Sequence, residues 1–253
     1  GSEEIADMCR FDTVFDGFVF PSYGGCDAQA QLRSRVVDGA ERRYGELSDG
    51  IMERIGYELD IIGRKGFAPY FLVMDDIVAM ASRTCGRGSG AASIVSYALG
   101  ITNVDPIAHN LYFERFLTIA RPDPPDIDVD FAWDERDALL KRVIERFGPK
   151  RCARVANHNR FRARCALRET AKAYGLPDAA ISSAERTFFQ RNDSQAPLDP
   201  LWAEVIRMAK RIEGLPRGLS MHCGGLVITP EDTRLLAPVE RSADGYPLLG
   251  WEK

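Results

Sequence analysis

Residues 124–131 read Pro-Pro-Asp-Ile-Asp-Val-Asp-Phe, and no other stretch limits the fold as much. Asp126, Asp128 and Asp130 alternate with Ile127 and Val129. Successive side chains of a strand point to opposite faces. A strand here therefore puts three carboxylates on one face and Ile127, Val129 and Phe131 on the other, toward a core. Like charges at that spacing repel, and hard divalent cations such as Mg²⁺ or Mn²⁺ offset the repulsion. An EF-hand loop is excluded, because it needs Gly at its sixth position, where Phe131 stands. A solvated acidic edge strand stays open; the tight apolar alternation favours a buried sheet with a metal cluster on one face.

The second constraining stretch is Cys85-Gly-Arg-Gly-Ser-Gly-Ala-Ala-Ser93. Gly86 to Ala91 fit G-x-G-x-x-A, but that dinucleotide fingerprint needs a strand directly before it, and Asp75–Ser82 reads as helix. No Gly-Lys-Ser/Thr follows, which excludes a Walker loop. What remains is a phosphate-cradling turn, with Ser89 adding a hydroxyl and the following apolar helix its positive dipole end, or close packing of helix on sheet. A Gly-Ser turn followed by a strand of spaced aspartates is the plan of a nucleotidyltransferase site.

Charge distribution agrees with that plan. The net charge of −4 argues against indiscriminate nucleic-acid binding. Residues 123–137 nevertheless carry seven acids and one base, and residues 150–172 eight bases and one acid. An acidic cluster next to a basic segment suits a metal site beside a polyanion track; two solvated faces of opposite sign are the plainer alternative. The six cysteines form no CxxC pair and read as reduced thiols of a cytoplasmic protein. No apolar run is long enough to span a membrane, so no membrane partner is expected.

Along the chain, residues 3–10 read as a short helix, followed by an aromatic stretch. Two amphipathic helices are expected within residues 29–64, with Gly63 and Gly66 as stop signals. Tyr70–Ser82 reads as a strand running into a helix. Leu111–Leu117 and Asp126–Phe131 are strand candidates, and Glu135–Gly148 is an amphipathic helix. Residues 158–211 read as helical with a polar interruption near Asn192–Pro200. Gly224–Thr229 and Leu235–Glu240 read as strands.

The ordered motifs GRGSGAASIVSYALGITNVDP, LYFERFL, PPDIDVDF.WDERD, MHCGGLVITP and GWEK resemble the alpha subunit of bacterial DNA polymerase III, the C-family polymerases, over about residues 3–253. The resemblance implies an α+β fold: a polymerase beta-like nucleotidyltransferase palm, with a mixed sheet, flanking helices and a small helical thumb. Residues 1–28 would then be a tag scar and the tail of a phosphoesterase-like domain. The palm would occupy residues 29–157 and 212–253, and the thumb residues 158–211. Asp126 and Asp128 would be the catalytic carboxylates and hold two Mg²⁺ or Mn²⁺ ions, with Asp130 in support. Arg87, Gly88 and Ser89 would lie near the nucleotide's triphosphate. Arg115 and Arg121 could place positive charge near phosphates, and Arg160, Arg162 and Arg164 could meet the backbone of primer–template DNA. His222 is expected to be structural. The implied partners are deoxynucleoside triphosphates, primer–template DNA and other replisome subunits such as the sliding clamp, reached through regions absent from this chain.

The chain departs from the family pattern in reading Thr84-Cys85-Gly86 where Gly-Pro-Gly is common. The family's third metal-binding aspartate is expected shortly after the segment matching GWEK, and its fingers further on. The expectation is therefore a polymerase fragment with little activity of its own. The rival readings are a template-independent nucleotidyltransferase and a non-catalytic domain that binds DNA or a replisome component.

Overall fold

A computed structural model describes residues 1–9, 19–24, 27–121, 123–190 and 199–252. Part of the aromatic stretch after the first helix, Cys26, residues 192–198 of the expected polar loop and the final Lys253 lie outside the described residues. The protein is α+β and divides into two units. One comprises residues 1–153 and 226–238, the other residues 154–225 and 239–253.

The first unit is built on helices. After α1 (Ser2–Met8) come α2 (Ala28–Tyr44), α3 (Asp49–Arg64), α4 (Ala68–Ala79) and α5 (Ile94–Ala98). Asp27 and Ser48 accept backbone N–H bonds at the starts of α2 and α3, satisfying donors that a helix's first turn leaves unpaired. Leu32, Val36, Ile55, Leu59, Ile62, Phe71 and Leu72 recur at helical spacing and are fully or almost fully buried in one core with Ile94, Val95, Phe113 and Phe116. Gly66, at φ +72°, follows the end of α3 as expected. Gly63 does not stop the helix. It lies inside α3, where a Cβ would stand 2.8 Å from the Gln29 side chain, so it serves close packing on α2.

Two expected strands are helical instead. The apolar run from Tyr70 belongs to α4, whose start is set by Pro69 in its first turn. Leu111–Leu117 forms no strand: Phe113–Arg115 is a 3-10 turn that buries Phe113, Phe116 and Leu117, a helical spacing of three and four. β1 (Thr84–Arg87) and β2 (Asp128–Phe131) form a two-stranded antiparallel ladder rather than part of a large buried sheet. α6 (Arg136–Phe147) follows and ends at Gly148, φ +91°. Of the strand expected over Leu235–Glu240, Leu235 ends a 3-10 turn (Thr233–Leu235) and only Val239 and Glu240 are extended, in a strand that runs over Val239–Arg241.

The second unit carries most of a four-stranded sheet of order β4-β3-β6-β5, from β3 (Cys152–Arg160), β4 (Pro216–Ile228), β5 (Val239–Arg241) and β6 (Pro247–Glu252). β3 and β6 are parallel and β5 and β6 antiparallel, so the sheet is mixed. β3 reaches Arg160, so the helical segment begins later than residue 158. That segment is α7 (Ala163–Ala173), α8 (Asp178–Gln190) and α9 (Pro200–Ile212), packed around Ala166, Leu167, Ile181, Val205 and Ala209. Phe161 exchanges backbone bonds with Gly214 and Leu215, closing the base of this helical excursion.

A carboxylate strand paired with a glycine-serine turn

The aspartate strand and the glycine-serine turn are neighbours in space. In the β1–β2 ladder Thr84 faces Phe131, Cys85 faces Asp130, Gly86 faces Val129 and Arg87 faces Asp128. Asp126, Asp128 and Asp130 are exposed, while Ile127 and Val129 pack on the core, the alternation that the residue pattern demands. The ladder itself begins at Asp128, so Asp126 precedes it. Burial, opposed by the Ile127 backbone and helped by the charges of Asp126 and Asp128, pushes the phenol of half-buried Tyr70 on α4 above its ordinary value.

The close approach of these segments depends on glycine at two places. A Cβ on Gly86 would stand 2.1 Å from the Ile101 carbonyl oxygen, so only glycine lets β1 lie against that backbone. Gly88 takes φ +68° at the turn out of β1, and a Cβ there would stand 3.1 Å from Asp128 Oδ2. The turn Gly88–Ala92 is 3-10, with Ser89 exposed and Gly90 buried beside the Asp126 carbonyl.

Arg87 does not stand free for a phosphate. Its Nε lies 3.1 Å from Asp130 Oδ2, and its Nη2 lies 4.0 Å from Asp128 Oδ1. Arg115 is exposed on the Phe113–Arg115 turn. Arg121 is exposed too, with Nη1 reaching the Phe116 carbonyl at 3.5 Å and its own carbonyl accepting from Lys65 Nζ. The dipole end expected to serve phosphate is already taken. At the start of α5, Ile94 N–H and Val95 N–H donate to the buried Glu58 carboxylate.

In the second unit, Arg160 ends β3 and donates to the Gly214 carbonyl. Arg162 is the N-cap of α7, and the Arg164 guanidinium lies over the Phe189 ring at 5.3 Å. All three are exposed. His222 Nδ1 accepts from Gly224 N–H, and the His222 carbonyl accepts from buried Arg154, which also binds the carbonyls of Cys223 and Gly225. Gly225 packs where a Cβ would meet Val155 at 2.7 Å. The His-Cys-Gly-Gly stretch is thus held by backbone bonds to one arginine. Cys9, Cys85, Cys152, Cys165 and Cys223 are free thiols.

The donor set fits a hard divalent cation in part. Asp126 and Asp128 offer exposed oxygen donors, and this face already attracts one cation, the Arg87 guanidinium. No group of three or more His, Cys, Asp or Glu able to hold a metal exists among the described residues. Two carboxylates would share such ions with ligands from elsewhere.

These features define an α+β protein in which a glycine-serine turn is fastened to a face of carboxylates. The family described as bacterial DNA polymerase III alpha NTPase domain matches residues 30–253, and the chain belongs to that family. It is similar to the error-prone DNA polymerase of Alkalilimnicola ehrlichii, 36% identical over all of this chain and 26% of that protein. It is also similar to the error-prone DNA polymerases of Nocardia farcinica, 38% identical over 98% of this chain and 23% of that protein, and Cutibacterium acnes, 39% over 88% and 20%. The chain thus spans about a quarter of the length of these relatives. Among the described residues no helix is long and apolar enough to cross a membrane.

Glu58 and Arg54 are the site-supporting residues that the motif reading missed. Their signal was present: Glu58 interrupts the apolar face formed by Ile51, Ile55, Leu59 and Ile62, and Arg54 stands four residues before it.

Proposed function

We propose that this chain is the palm and thumb part of a cytoplasmic DNA-directed DNA polymerase of the error-prone kind that its relatives are named for. In this reading a primer 3′-hydroxyl attacks the α-phosphate of a deoxynucleoside triphosphate and pyrophosphate leaves. Asp126 and Asp128 would hold two divalent ions, Mg²⁺ or Mn²⁺. Such ions, when bound, ease deprotonation of the hydroxyl and neutralise phosphate charge. Gly88 brings backbone close to Asp128, and Ser89 offers its hydroxyl beside that point. Arg115 and Arg121 supply positive charge nearby, and Arg87 exchanges its carboxylate partners for phosphate oxygens as nucleotide and ions arrive. Arg160, Arg162 and Arg164 take duplex backbone, a contact that weakens with salt and carries no sequence information. Replisome subunits such as the sliding clamp would meet other parts of the whole protein.

The observation that carries this reading is the β1–β2 register, which places Arg87 and Gly88 against Asp128. Asp130 on the same face is engaged by Arg87, and in this reading the isolated chain binds nucleotide while extending primers barely at all. The test is thermal stabilisation by deoxynucleoside triphosphate with Mn²⁺, since a ligand of the folded state alone raises its stability. A shift that disappears in Asp128→Asn supports the site. A shift of equal size in both proteins would remove Asp128 from it.

A further inference from the structure

Two residues of α3 hold both segments that carry the nucleotide-facing candidates. Glu58 is fully buried, and its carboxylate is completely engaged. Oε2 accepts from Ser93 Oγ at 2.7 Å and from Val95 N–H at 3.3 Å, and Oε1 accepts from Ile94 N–H at 3.1 Å. Arg54 Nε closes the pair at 2.7 Å. The same guanidinium then reaches two backbone carbonyls through Nη2, Ala92 at 3.1 Å and Leu111 at 3.0 Å. Tyr57, on the same face of α3, donates to Glu114 at 2.7 Å.

Ala92 is the last residue of the Gly88–Ala92 turn, and Leu111 leads into the turn that carries Arg115. A rigid planar fork thus spans two separate chain segments, while its counter-ion caps the helix that follows the first of them. A core that needed only to fill this volume would place apolar side chains here. A buried carboxylate is tolerated because four donors meet it, and burial pushing its pKa up is opposed by Ser93, Arg54 and the Ile94 N–H.

We infer that Arg54 and Glu58 are positioning residues for nucleotide binding: they fix the Gly88–Ala92 turn and the Arg115 turn at one separation, so both meet the same triphosphate. This rests on the nucleotide reading of the site. Neither residue touches nucleotide; both act through backbone.

The experiment compares the wild-type chain with Glu58→Gln, which keeps shape but loses charge, and Arg54→Lys, which keeps charge but loses the fork. Leu59→Ala is the control, a buried neighbour whose loss destabilises by cavity alone. Amide exchange is followed in peptides over residues 88–99 and 111–116, and stabilisation by dATP with Mn²⁺ is titrated. Glu58→Gln and Arg54→Lys should speed exchange in these peptides selectively and raise the half-saturating dATP concentration about ten-fold. Leu59→Ala should lower the melting temperature while leaving half-saturation unchanged. If all three variants shift half-saturation in proportion to lost stability, the positioning role is overturned. If the wild-type chain shows no nucleotide-dependent shift, the nucleotide reading fails and the positioning role with it. Selective exchange in the two variants would then show a backbone anchor alone.

Discussion

Arg87 faces Asp128 across the β1–β2 ladder, yet its closer carboxylate contact is with Asp130, 3.1 Å against 4.0 Å. One guanidinium therefore lies between two aspartates of the same face. Arg87, Asp128 and Asp130 are all well exposed, so these ion pairs contribute little to stability, between 0 and about 1 kcal/mol. They do compete with any other cation for the carboxylates. Arg87→Ala should tighten Mn²⁺ binding severalfold in an isothermal titration at low salt, with the melting temperature nearly unmoved. Weaker Mn²⁺ binding in the variant would mean that Arg87 organises the face rather than occupying it.

Asp126 and Asp128 are exposed and stand in a run of like charges. Replacing either with Asn removes a repelling charge and buries nothing. Asp126→Asn and Asp128→Asn should thus keep the fold, with stability within about 0.5 kcal/mol of the parent chain. Mn²⁺ binding should fall in both. A circular-dichroism melt showing gross unfolding of either variant would mean that the side chain carries structure.

Gly88 and Gly86 allow a graded comparison on one strand. Alanine at Gly88 must take φ +68° and set a methyl 3.1 Å from Asp128 Oδ2, at a cost of about 1–2 kcal/mol. The carboxylate can swing aside, so the fold survives while the carboxylate face is disturbed. Alanine at Gly86 sets its methyl 2.1 Å from a backbone carbonyl that cannot swing, and should cost at least about 3 kcal/mol. Urea midpoints should rank parent, Gly88→Ala and Gly86→Ala in falling order. Equal midpoints for the two variants would remove Gly86 as the point of close approach.

The longer helices and the facing of the aspartates were legible because burial imposes a period. Ile127 and Val129 must reach the core, and that alone turns Asp126, Asp128 and Asp130 outward. α4 was misread because nearly all of its sides are apolar, so period cannot separate helix from strand there, and the deciding residue was Pro69. Leu111–Leu117 was misread although Phe113, Phe116 and Leu117 carry helical spacing, because one turn is too short to show a period. The apposition of Arg87 with Asp128 depends on a pairing between residues about 40 positions apart, which no local pattern encodes. The N-terminus of α5 reads as open to phosphate because its partner is remote in sequence: Glu58, 36 residues before Ile94, accepts the Ile94 N–H.

The bond from Tyr44 Oη to Asp105 Oδ1, 2.7 Å long, should shape the stability of the chain at both ends of the pH scale. Burial pushes the Asp105 carboxyl up, but the Tyr44 hydroxyl and the N–H groups of Ala108 and Ile107 outweigh it, leaving the pKa below the ordinary carboxylate value. Burial first, and then Asp105, push the Tyr44 phenol above its ordinary value. A depressed carboxyl contributes stability above its unfolded pKa of about 3.9, and loses it as pH falls through the folded value. A raised phenol contributes stability below its unfolded pKa of about 10, and loses it as pH rises toward the folded value. Tyr44→Phe should therefore cost about 1 kcal/mol near pH 7. That cost should shrink below about pH 4 and again above about pH 10. Asp105→Asn should flatten the acid limb of the melting curve directly. A Tyr44→Phe penalty that stays constant from pH 3 to 11 would mean that the ionisation of Asp105 and Tyr44 does not govern what this hydrogen bond contributes.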